Sequence, residues 1–347
     1  MPKILTVVGA RPQFVKAAAL TRAFQAYTAL TEVMVHTGQH YDAEMSSVFF
    51  EELSIPAPAY NLDIHGGSHG EMTGRMMIGL ESLIVRERPD AVMVYGDTNS
   101  TLAGALVAAK MHIPVIHIEA GLRSFNRRMP EEVNRVMVDH LSSLLFCPTK
   151  TAVENLAREG ITKGVQNVGD VMYDATIHIR ATALARSRII ERLGLDAQPY
   201  AILTLHRADN TDNETRLAAL LQFVEREAQG ARIIFPVHPR TKRALEHGGF
   251  DVGRITMIEP IGYIDMHRLL ASARTVFTDS GGLQKEAYFH RVPCITLREE
   301  TEWVETVAAG WNRLWCEPRW NERREISEYG DGDAAGRIAR SIQKSIT

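Results

Sequence analysis

Residues 275–290 read Thr-Val-Phe-Thr-Asp-Ser-Gly-Gly-Leu-Gln-Lys-Glu-Ala-Tyr-Phe-His, a pattern typical of a strand that ends abruptly and becomes a helix. Ser280, Gly281 and Gly282 would form the corner. A helix start offers unpaired backbone N–H groups and a partial positive charge, and glycines let an anion approach them closely. The segment predicts either a diphosphate site, with Glu286 binding a neutral polyol such as a ribose, or an ordinary tight turn.

A second informative stretch, residues 115–135, places carboxylates at two element ends. Glu119 follows an apolar run, and Pro130 opens a predicted helix with Glu131 in its first turn. Asp97 ends another predicted strand, where it could also act simply as a helix N-cap. These three carboxylates together favour acid–base chemistry, because like charges that converge on one crevice raise one another's pKa values.

Composition and charge exclude several classes of protein. At 347 residues, 45% hydrophobic and 23% charged, the chain is long enough for about two globular domains. A net charge of −3 argues against nucleic-acid binding, and three widely separated cysteines fit a reducing compartment better than a disulfide framework or a zinc site. We find neither a signal-peptide pattern nor an apolar run long enough to cross a membrane, so we expect a cytoplasmic protein without membrane insertion.

Short apolar runs alternate with helical-period segments along the whole chain, which predicts parallel βαβ units and an α/β fold. A long predicted helix over 171–192 separates two such series. We therefore expect two doubly wound domains, 1–170 and 171–330, and then a segment, 331–347, whose amphipathic helix packs back on the first domain. The predicted strands are Ile4–Val8, Glu32–His36, Ala91–Tyr95, Val115–Ile118, Leu144–Cys147, Tyr200–Leu205, Arg232–Val237, Ile255–Ile258, Thr275–Thr278 and Cys294–Leu297.

Polar residues at the carboxyl ends of the predicted strands are the candidates for ligand contact, because open parallel sheets bind ligands there. Arg11 and Lys16 follow the first strand and a glycine turn, where they could contact an anion or simply be solvated charges. His206 and His238 end two consecutive strands of the second series. A lone histidine at a strand end is usually structural, but two at equivalent ends favour contact with a leaving group.

Signals for cofactors and metals are weak. No glycine fingerprint with a ribose-binding acid follows the first strand, so a Rossmann-type NAD site is disfavoured. The segment Gly330-Asp331-Gly332-Asp333 is typical of a loop rather than of a nucleotide or metal site, because no predicted strand precedes it. No metal motif of the His-Glu-x-x-His kind occurs. We expect neither a cofactor nor a metal.

Several motifs occur in a fixed order along nearly the whole chain. They are Gly9-Ala10-Arg11-Pro12, Thr37-Gly38-Gln39-His40, Gly96-Asp97-Thr98, Ile118-Glu119-Ala120-Gly121-Leu122-Arg123, Pro130-Glu131-Glu132, Asn134-Arg135, His206-Arg207, Thr278 to Glu286, and Glu299 to Glu305. In this order they resemble the non-hydrolysing UDP-N-acetylglucosamine 2-epimerase family. The resemblance implies two Rossmann-like domains of the GT-B fold, with the sugar nucleotide in the interdomain cleft, and a homodimer.

The resemblance also implies a reaction, the interconversion of UDP-GlcNAc and UDP-ManNAc without NAD. The hydrogen at C2 of the sugar is not acidic, since no carbonyl adjoins it. Expelling UDP from C1 builds oxocarbenium character that acidifies C2–H, and a base then removes the proton to give 2-acetamidoglucal beside UDP. Returning a proton to the opposite face and re-adding UDP inverts C2, so two opposed acid–base groups and a diphosphate site suffice.

The resemblance assigns roles to particular positions. Asp97, Glu119 and Glu131 match the family's catalytic carboxylates. His206 matches its essential histidine near the diphosphate, and Glu286 is expected at the ribose hydroxyls. The residues expected to bind UDP or the sugar are Arg11, Lys16, Arg135, His238, Ser280, Gly281, Gly282, Glu286 and Arg298.

The motifs leave other functions open. Segments 124–129 and 301–306 resemble the branch of the family that acts on UDP-2,3-diacetamido-2,3-dideoxyglucuronate, and extra arginines near the sugar would suit its C6 carboxylate. A GT-B glycosyltransferase would share the fold and the diphosphate site but would not need three clustered acids. A non-catalytic sugar-nucleotide sensor would bind UDP and tolerate the loss of those acids.

Overall fold

The computed structural model describes residues 1–26, 30–39, 52–53, 55–196, 198–248 and 253–346. His40 of the Gln39-His40 motif lies outside the described residues. The chain forms two compact units, the first made of Met1–Ile177 with Ser327–Thr347 and the second of His178–Ile326. No helix within the described ranges is long and apolar enough to cross a membrane.

The first unit is built around a parallel sheet of buried, apolar strands. These are β1 (Lys3–Val8), β2 (Thr31–His36), β3 (Tyr60–Asn61), β4 (Ala91–Tyr95), β5 (Val115–Ile118), β6 (Leu144–Cys147) and β7 (Val165–Asn167). They lie in the order β3-β2-β1-β4-β5-β6-β7, and all neighbouring strands are parallel. The central strands β1, β4 and β5 are almost entirely buried, as continuous apolar runs are where helices cover both faces of a sheet.

Helices connect the strands of the first unit. They are α1 (Arg11–Ala26), α2 (His69–Glu87), α3 (Asn99–Lys110), α4 (Pro130–Leu141), α5 (Lys150–Arg158) and α6 (Val171–Arg186), which continues into the second unit. α3 begins at a capping box, in which the side chains of Thr98 and Thr101 each bond the other's backbone amide. α4 begins, as predicted, with Pro130 and with Glu131 in its first turn.

The second unit repeats the same plan. Its strands are β8 (Tyr200–Thr204), β9 (Arg232–Pro236), β10 (Ile255–Ile258), β11 (Thr275–Thr278), β12 (Cys294–Thr296) and β13 (Asn312–Leu314). They are parallel and lie in the order β10-β9-β8-β11-β12-β13. Its helices are α7 (Ile189–Leu193), α8 (Ala208–Thr211), α9 (Glu214–Glu227), α10 (Pro239–Gly248), α11 (Tyr263–Leu270), α12 (Gly281–Phe289) and α13 (Val304–Ala308).

Both sheets reverse their strand order beside the first strand. In the first unit the order turns between β1 and β4, and in the second it turns between β8 and β11. A ligand crevice forms outside the carboxyl ends of the strands at such a point, which is called a topological switch point. The prediction of an α/β fold with doubly wound parallel sheets is confirmed, and the two switch points show which strand ends could bind a ligand.

Two features differ from the sequence-based prediction. The single helix predicted over 171–192 is wrong, because the helix breaks after Arg186. The Ser187 hydroxyl donates to Asp265 Oδ1 at 2.5 Å and accepts from Ile189 N at 3.3 Å, which starts α7 as a separate element. The short strands β3, β7 and β13 are missing from the prediction, because two or three residues are too few to show an apolar pattern.

The last helix, α14 (Ala334–Ile346), belongs to the first unit and packs on α1. Its buried side includes Ile338 and Ile342, which are one turn apart. Asp174 on α6 accepts a hydrogen bond from the Ala335 amide at 2.8 Å, so its carboxylate caps the start of α14. The other carboxylate oxygen of Asp174 is buried and has no hydrogen-bond partner among the described residues.

We expect Asp174→Asn to stabilise the protein selectively near neutral pH. Burial, only partly opposed by the amides of Ala335 and Ala334, raises the pKa of Asp174 to about 6. Because the folded-state pKa lies above the unfolded value, the bound proton stabilises the fold below about pH 4, and this contribution is lost as pH rises through about 6. Asparagine does not titrate, so the stability of the variant relative to wild type should increase by roughly 1–2 kcal/mol between about pH 4.5 and pH 7.5.

Urea unfolding at the two pH values measures this difference. Asp196→Asn changes an exposed residue in the same way and should show no such pH dependence. If Asp174→Asn changed the free energy of unfolding equally at both pH values, the titration assigned to Asp174 would be wrong.

Candidate active site

Asp97 lies just beyond the carboxyl end of β4, beside the switch point of the first sheet. The interpretation of Asp97 as an N-cap is wrong, because Thr98 is the N-cap of α3. The Asp97 carboxylate instead accepts hydrogen bonds from Arg135, whose Nε lies 3.1 Å from Oδ2. Asn134 Nδ2 donates to the Asp97 carbonyl at 2.9 Å. Two neighbouring residues of α4 thus hold both the backbone and the carboxylate of Asp97.

Glu119 follows β5 in a left-handed backbone conformation that favours glycine, with a φ of 71°. The amides of Glu119 and Ala120 both donate to Phe146 O at 3.0 Å, which fixes this turn. The Glu119 carboxylate forms a hydrogen-bonded ion pair with Lys16, and both side chains are nearly buried. Holding a non-glycine residue at this φ costs on the order of 1–3 kcal/mol, and such strain clusters at functional sites.

Two adjacent acids in the first turn of α4 have different surroundings. Glu132 is buried and accepts hydrogen bonds from Ser124 N and from Arg135 Nη1, both at 2.9 Å. Glu131 is partly exposed and has no hydrogen-bond or ion-pair partner in the part of the chain that the structure describes. Glu132 therefore has a structural role, whereas the Glu131 carboxylate is available to a ligand.

The three predicted carboxylates are associated with one edge of the first unit. The Lys16 ammonium and the Glu119 carboxylate lie close to Gly96, the residue before Asp97. Glu131 lies in the first turn of α4, and Asn134 and Arg135 in the next turn hold Asp97. The ion pairs of Lys16 with Glu119 and of the buried Arg135 with Asp97 offset the like-charge repulsion predicted for these acids. Lys16, expected to contact an anionic ligand, is thus engaged by Glu119 in this structure.

Arg11 is the first residue of α1, next to the switch point on the β1 side. Gln13 fixes this turn, because its Oε1 accepts from Gly9 N at 2.7 Å and from Ala10 N at 3.0 Å. Gln13 Nε2 donates to Tyr95 O at 2.8 Å, at the end of β4. One buried side chain therefore links the turn that carries Arg11 to the strand that precedes Asp97, a link that sequence analysis misses.

In the second unit, His206 and Asp279 meet at the switch point between β8 and β11. The fully buried Asp279 carboxylate accepts from the amides of His206 and Arg207 at 3.0 and 2.9 Å, and from Asn210 Nδ2 at 3.1 Å. His206 Nδ1 lies 2.8 Å from Asp279 Oδ1, while half of the His206 side chain is exposed. Burial alone would raise the pKa of Asp279, but the charge and hydrogen bonds of His206 and the Arg207 amide lower it to about 2. The carboxylate thereby fixes the ring, with Nε2 directed away from Asp279.

Ser280, Gly281 and Gly282 form the corner between β11 and α12, as predicted. Ser280 is the N-cap, and its side chain makes no capping hydrogen bond. A Cβ atom at Gly281 would collide with Glu302 Oε1, so glycine allows a close approach at this position. Arg298 Nη2 lies 3.0 Å from Glu302 Oε2, which places the predicted ligand residue Arg298 in contact with the acid beside this corner.

Glu286 is nearly buried on α12 and is backed by a pair of histidines. His267 is fully buried, with Nε2 3.7 Å from Glu286 Oε1 and Nδ1 2.8 Å from His290 Nε2. Burial, together with the charges of His267 and Arg180, lowers the pKa of His290 to about 3. His238, also predicted to bind the ligand, is exposed just beyond β9.

A comparison with known proteins identifies the family. Residues 22–343 match the family described as UDP-N-acetylglucosamine 2-epimerase. This chain belongs to that family. It is 47% identical, over 99% of both chains, to the UDP-2,3-diacetamido-2,3-dideoxy-D-glucuronate 2-epimerase of Pseudomonas aeruginosa. It is 43% identical, over 98% of both chains, to the UDP-N-acetylglucosamine 2-epimerase of Methanocaldococcus jannaschii.

Solved structures of the UDP-N-acetylglucosamine 2-epimerase family share this fold. The crystal structure of the M. jannaschii enzyme in complex with UDP-GlcNAc and UDP matches with a TM-score of 0.87 and 40% identity, over 99% of each chain. The resemblance stated from the motifs and the GT-B fold are therefore confirmed.

Sequence reasoning missed Asp279, although it directly precedes the Ser280 corner in the segment that predicts the fold. Its partner His206 is 73 residues away, so no local pattern joins them. The available signal was an acid at one strand end and a histidine at another, because the carboxyl ends of neighbouring parallel strands lie side by side.

We expect Asp279→Asn to lower the turnover of UDP-sugar 2-epimerisation by at least roughly 10²-fold. The asparagine oxygen would take the Oδ2 position, where three donors lie, so its NH₂ would face His206 Nδ1 and the ring would lose its acceptor. The Asp212→Asn variant, at an exposed position of the same unit, should retain wild-type turnover. Steady-state rates and the thermal midpoint should be measured for both variants. Wild-type turnover in a folded Asp279→Asn protein would contradict a role for this pair.

Proposed function

We propose that the chain is a non-hydrolysing UDP-N-acetylglucosamine 2-epimerase that interconverts UDP-GlcNAc and UDP-ManNAc by elimination and re-addition of UDP. The observation that carries the proposal is the placement of Asp97 and Glu119 at the ends of adjacent strands, each paired with a buried cation. Neither acid caps a helix, and burying such charges is costly, so the arrangement favours chemistry over stability. Family membership and the UDP-GlcNAc complex of the M. jannaschii relative support the choice of substrate.

In the first unit the carboxylates transfer the proton at C2 of the sugar. When the C1–O bond breaks, its electron pair leaves with UDP, and a base takes the C2 proton so that the C1=C2 double bond of 2-acetamidoglucal forms. Asp97 and Glu131 are the proposed proton-transfer groups, with Glu119 and Lys16 coupled to them. Arg135 holds the Asp97 carboxylate in place before the reaction, as electrostatic preorganisation requires.

In the second unit the proposed role is to bind UDP and stabilise it as a leaving group. The first N–H groups of α12, with Ser280, Gly281 and Gly282, bind the diphosphate. His206 Nε2 contacts the departing diphosphate, because Asp279 occupies Nδ1. Glu286 accepts hydrogen bonds from the ribose hydroxyls. The elimination itself makes C2–H acidic, so this route needs neither a nicotinamide cofactor nor a metal.

A second candidate substrate is UDP-2,3-diacetamido-2,3-dideoxyglucuronate. The observation that favours it is the 47% identity to the Pseudomonas enzyme that carries this name. Arg127 and Arg128 are exposed in the loop before α4. Glu131 lies in the first turn of that helix. A guanidinium binds a carboxylate in a bidentate manner, so these arginines would suit a substrate with a C6 carboxylate.

We expect the purified protein in D₂O to incorporate solvent deuterium at C2 of a UDP-2-acetamido sugar without any acceptor. UDP-GlcNAc and the diacetamido uronate should be incubated in parallel, and the faster exchange identifies the substrate. Glu131→Gln should lower the exchange rate by roughly 10²–10⁴-fold, the usual contribution of a proton-transfer group. NMR and mass spectrometry of the recovered UDP-sugar measure the label.

Exposed Glu154 on α5 offers a matched control, since Glu154→Gln should leave the exchange rate unchanged. Release of free ManNAc and UDP would indicate a hydrolysing enzyme instead. Consumption of the sugar nucleotide only when an acceptor is added would indicate a glycosyltransferase. UDP binding without any exchange in wild type would indicate a sensor.

We also propose a homodimer. The α2 helix exposes two large apolar residues two turns apart, Ile78 at 71% and Val85 at 61% of their full accessible surface. Val133 and Met137 of α4 are exposed as well, and the intervening helix α3 packs on both α2 and α4. Exposed apolar residues of this size on the surface of one unit are typical of a protein interface.

We expect Ile78→Glu to shift the protein from dimer to monomer in analytical ultracentrifugation, because a buried, unpaired carboxylate would be costly in the interface. Arg75→Glu, at an exposed position one turn earlier, should have a smaller effect. A wild-type protein that sediments as a monomer at micromolar concentration would contradict the proposal.

We place the protein in the cytoplasm, where UDP-sugars would be its substrates. The cysteines Cys147, Cys294 and Cys316 are all free thiols in the structure, which fits a reducing compartment.

A further inference from the structure

His117 lies in the middle of β5 and is completely buried. Its two ring nitrogens contact different parts of the first unit. Nδ1 lies 2.7 Å from Asp139 Oδ1 on α4, and Nε2 lies 2.8 Å from the carbonyl oxygen of Gly96. Gly96 precedes Asp97 directly, and its own amide donates to Ile118 O at 2.9 Å. Consecutive residues of β5 therefore hold both polar groups of the Gly96 backbone.

Asp139 contacts the turn that follows Glu119 as well. It is completely buried, and its Oδ2 accepts from Gly121 N at 3.1 Å and from Arg123 Nη1 at 2.7 Å. Burial opposes ionisation, but the hydrogen bonds and charges of His117 and Arg123 outweigh it and lower the pKa of Asp139. A single buried carboxylate is thus bonded directly to the turn after Glu119 and, through His117, to the turn before Asp97.

The positive charge of Arg123 is itself shared by two acids. Its Nε and Nη2 form a fork with Glu159, both at 2.7 Å. The Gly121 turn is further fixed by Asn155, whose Nδ2 donates to Gly121 O at 3.0 Å. None of these polar groups belongs to the proposed substrate contacts.

We infer that His117, held by Asp139, is a positioning residue that fixes the turns bearing Asp97 and Glu119 relative to each other. This inference rests on the proposed function, because it concerns the spacing of the acids that act at C2. A fixed spacing matters because a displacement of about 1 Å at reacting groups costs roughly 10²-fold in rate. The side chain that sets the spacing need not touch the substrate.

Two substitutions of His117 test its two hydrogen bonds one at a time. Glutamine places its amide nitrogen near the position of Nε2, so His117→Gln keeps the bond to Gly96 O and loses the one to Asp139. Asparagine places its amide nitrogen near Nδ1, so His117→Asn keeps Asp139 and loses Gly96. Each variant removes one buried hydrogen bond of His117, so both should lose thermal stability.

We expect kcat to fall at least tenfold further in His117→Asn than in His117→Gln, because only the asparagine variant releases the turn before Asp97. KM and the Kd of UDP should change less than threefold, roughly, in both, since the proposed contacts of UDP at α12 are untouched. His112→Asn, at an exposed residue with positive φ that asparagine tolerates, is the matched control and should keep wild-type kcat.

Equal losses of kcat in the two variants, or no loss in either, would overturn the inference while the wild type remained an epimerase. Absence of C2 exchange in the wild type would instead reject the proposed function. Should neither variant fold, a crystal structure of the wild type with UDP decides, because His117 Nε2 must lie about 3 Å from Gly96 O. A ring turned away from Gly96 would overturn the inference.

Discussion

The reversal of strand order beside the first strand of each sheet is the constraint on which the rest of the structure depends. In a parallel sheet the crossover connections are right-handed, so reversing the direction of winding sends the helices on either side of the reversal to opposite faces. The carboxyl ends of the two strands at that point are left without a covering helix. In the first unit these ends carry Arg11 and Asp97, and in the second they carry His206 and Asp279.

Charge pairing follows from this placement. Residues at the strand ends are close to the buried interior, where an unpaired charge would be expensive. Lys16 is paired with Glu119, Arg135 with Asp97, and the interior Asp139 with both His117 and Arg123. The pairs fix the carboxylates before any ligand arrives, which is a condition for electrostatic catalysis. Glu131, which is partly exposed and has no partner among the described residues, is the exception in this group.

The sequence predicts those parts of the protein that depend on local patterns. Continuous apolar runs such as Val115–Ile118 identify the central strands, because such strands are buried on both faces. A few neighbouring residues likewise predict the corner at Ser280 and the helix start at Pro130. The strand Tyr60–Asn61 has no such local pattern, because it exists only through its pairing with β2. The helix break at Ser187 has none either, because it depends on a hydrogen bond to the distant Asp265.

The candidate site is predicted only in part for the same reason. Asp97, Glu119 and His206 are recognisable because they follow strands, but the groups that hold them come from distant segments. His117 and Asp139 are 22 residues apart, and Asp279 and His206 are 73 residues apart. The N-cap of α3 could not be predicted from sequence either, because Asp and Thr are both good N-caps and Asp97 precedes Thr98 directly. Only the backbone geometry identifies Thr98 as the N-cap.

The first unit is built from two separate segments of the chain, which affects how it folds during biosynthesis. Its sheet and its first helices are made early, but α14, which packs on α1 and is capped by Asp174, comes from residues after 327. Domains usually fold in order as they emerge from the ribosome. Here the first unit stays incomplete while the whole second unit is synthesised, so the surface of α1 that α14 will cover is exposed to the cell for the length of that interval.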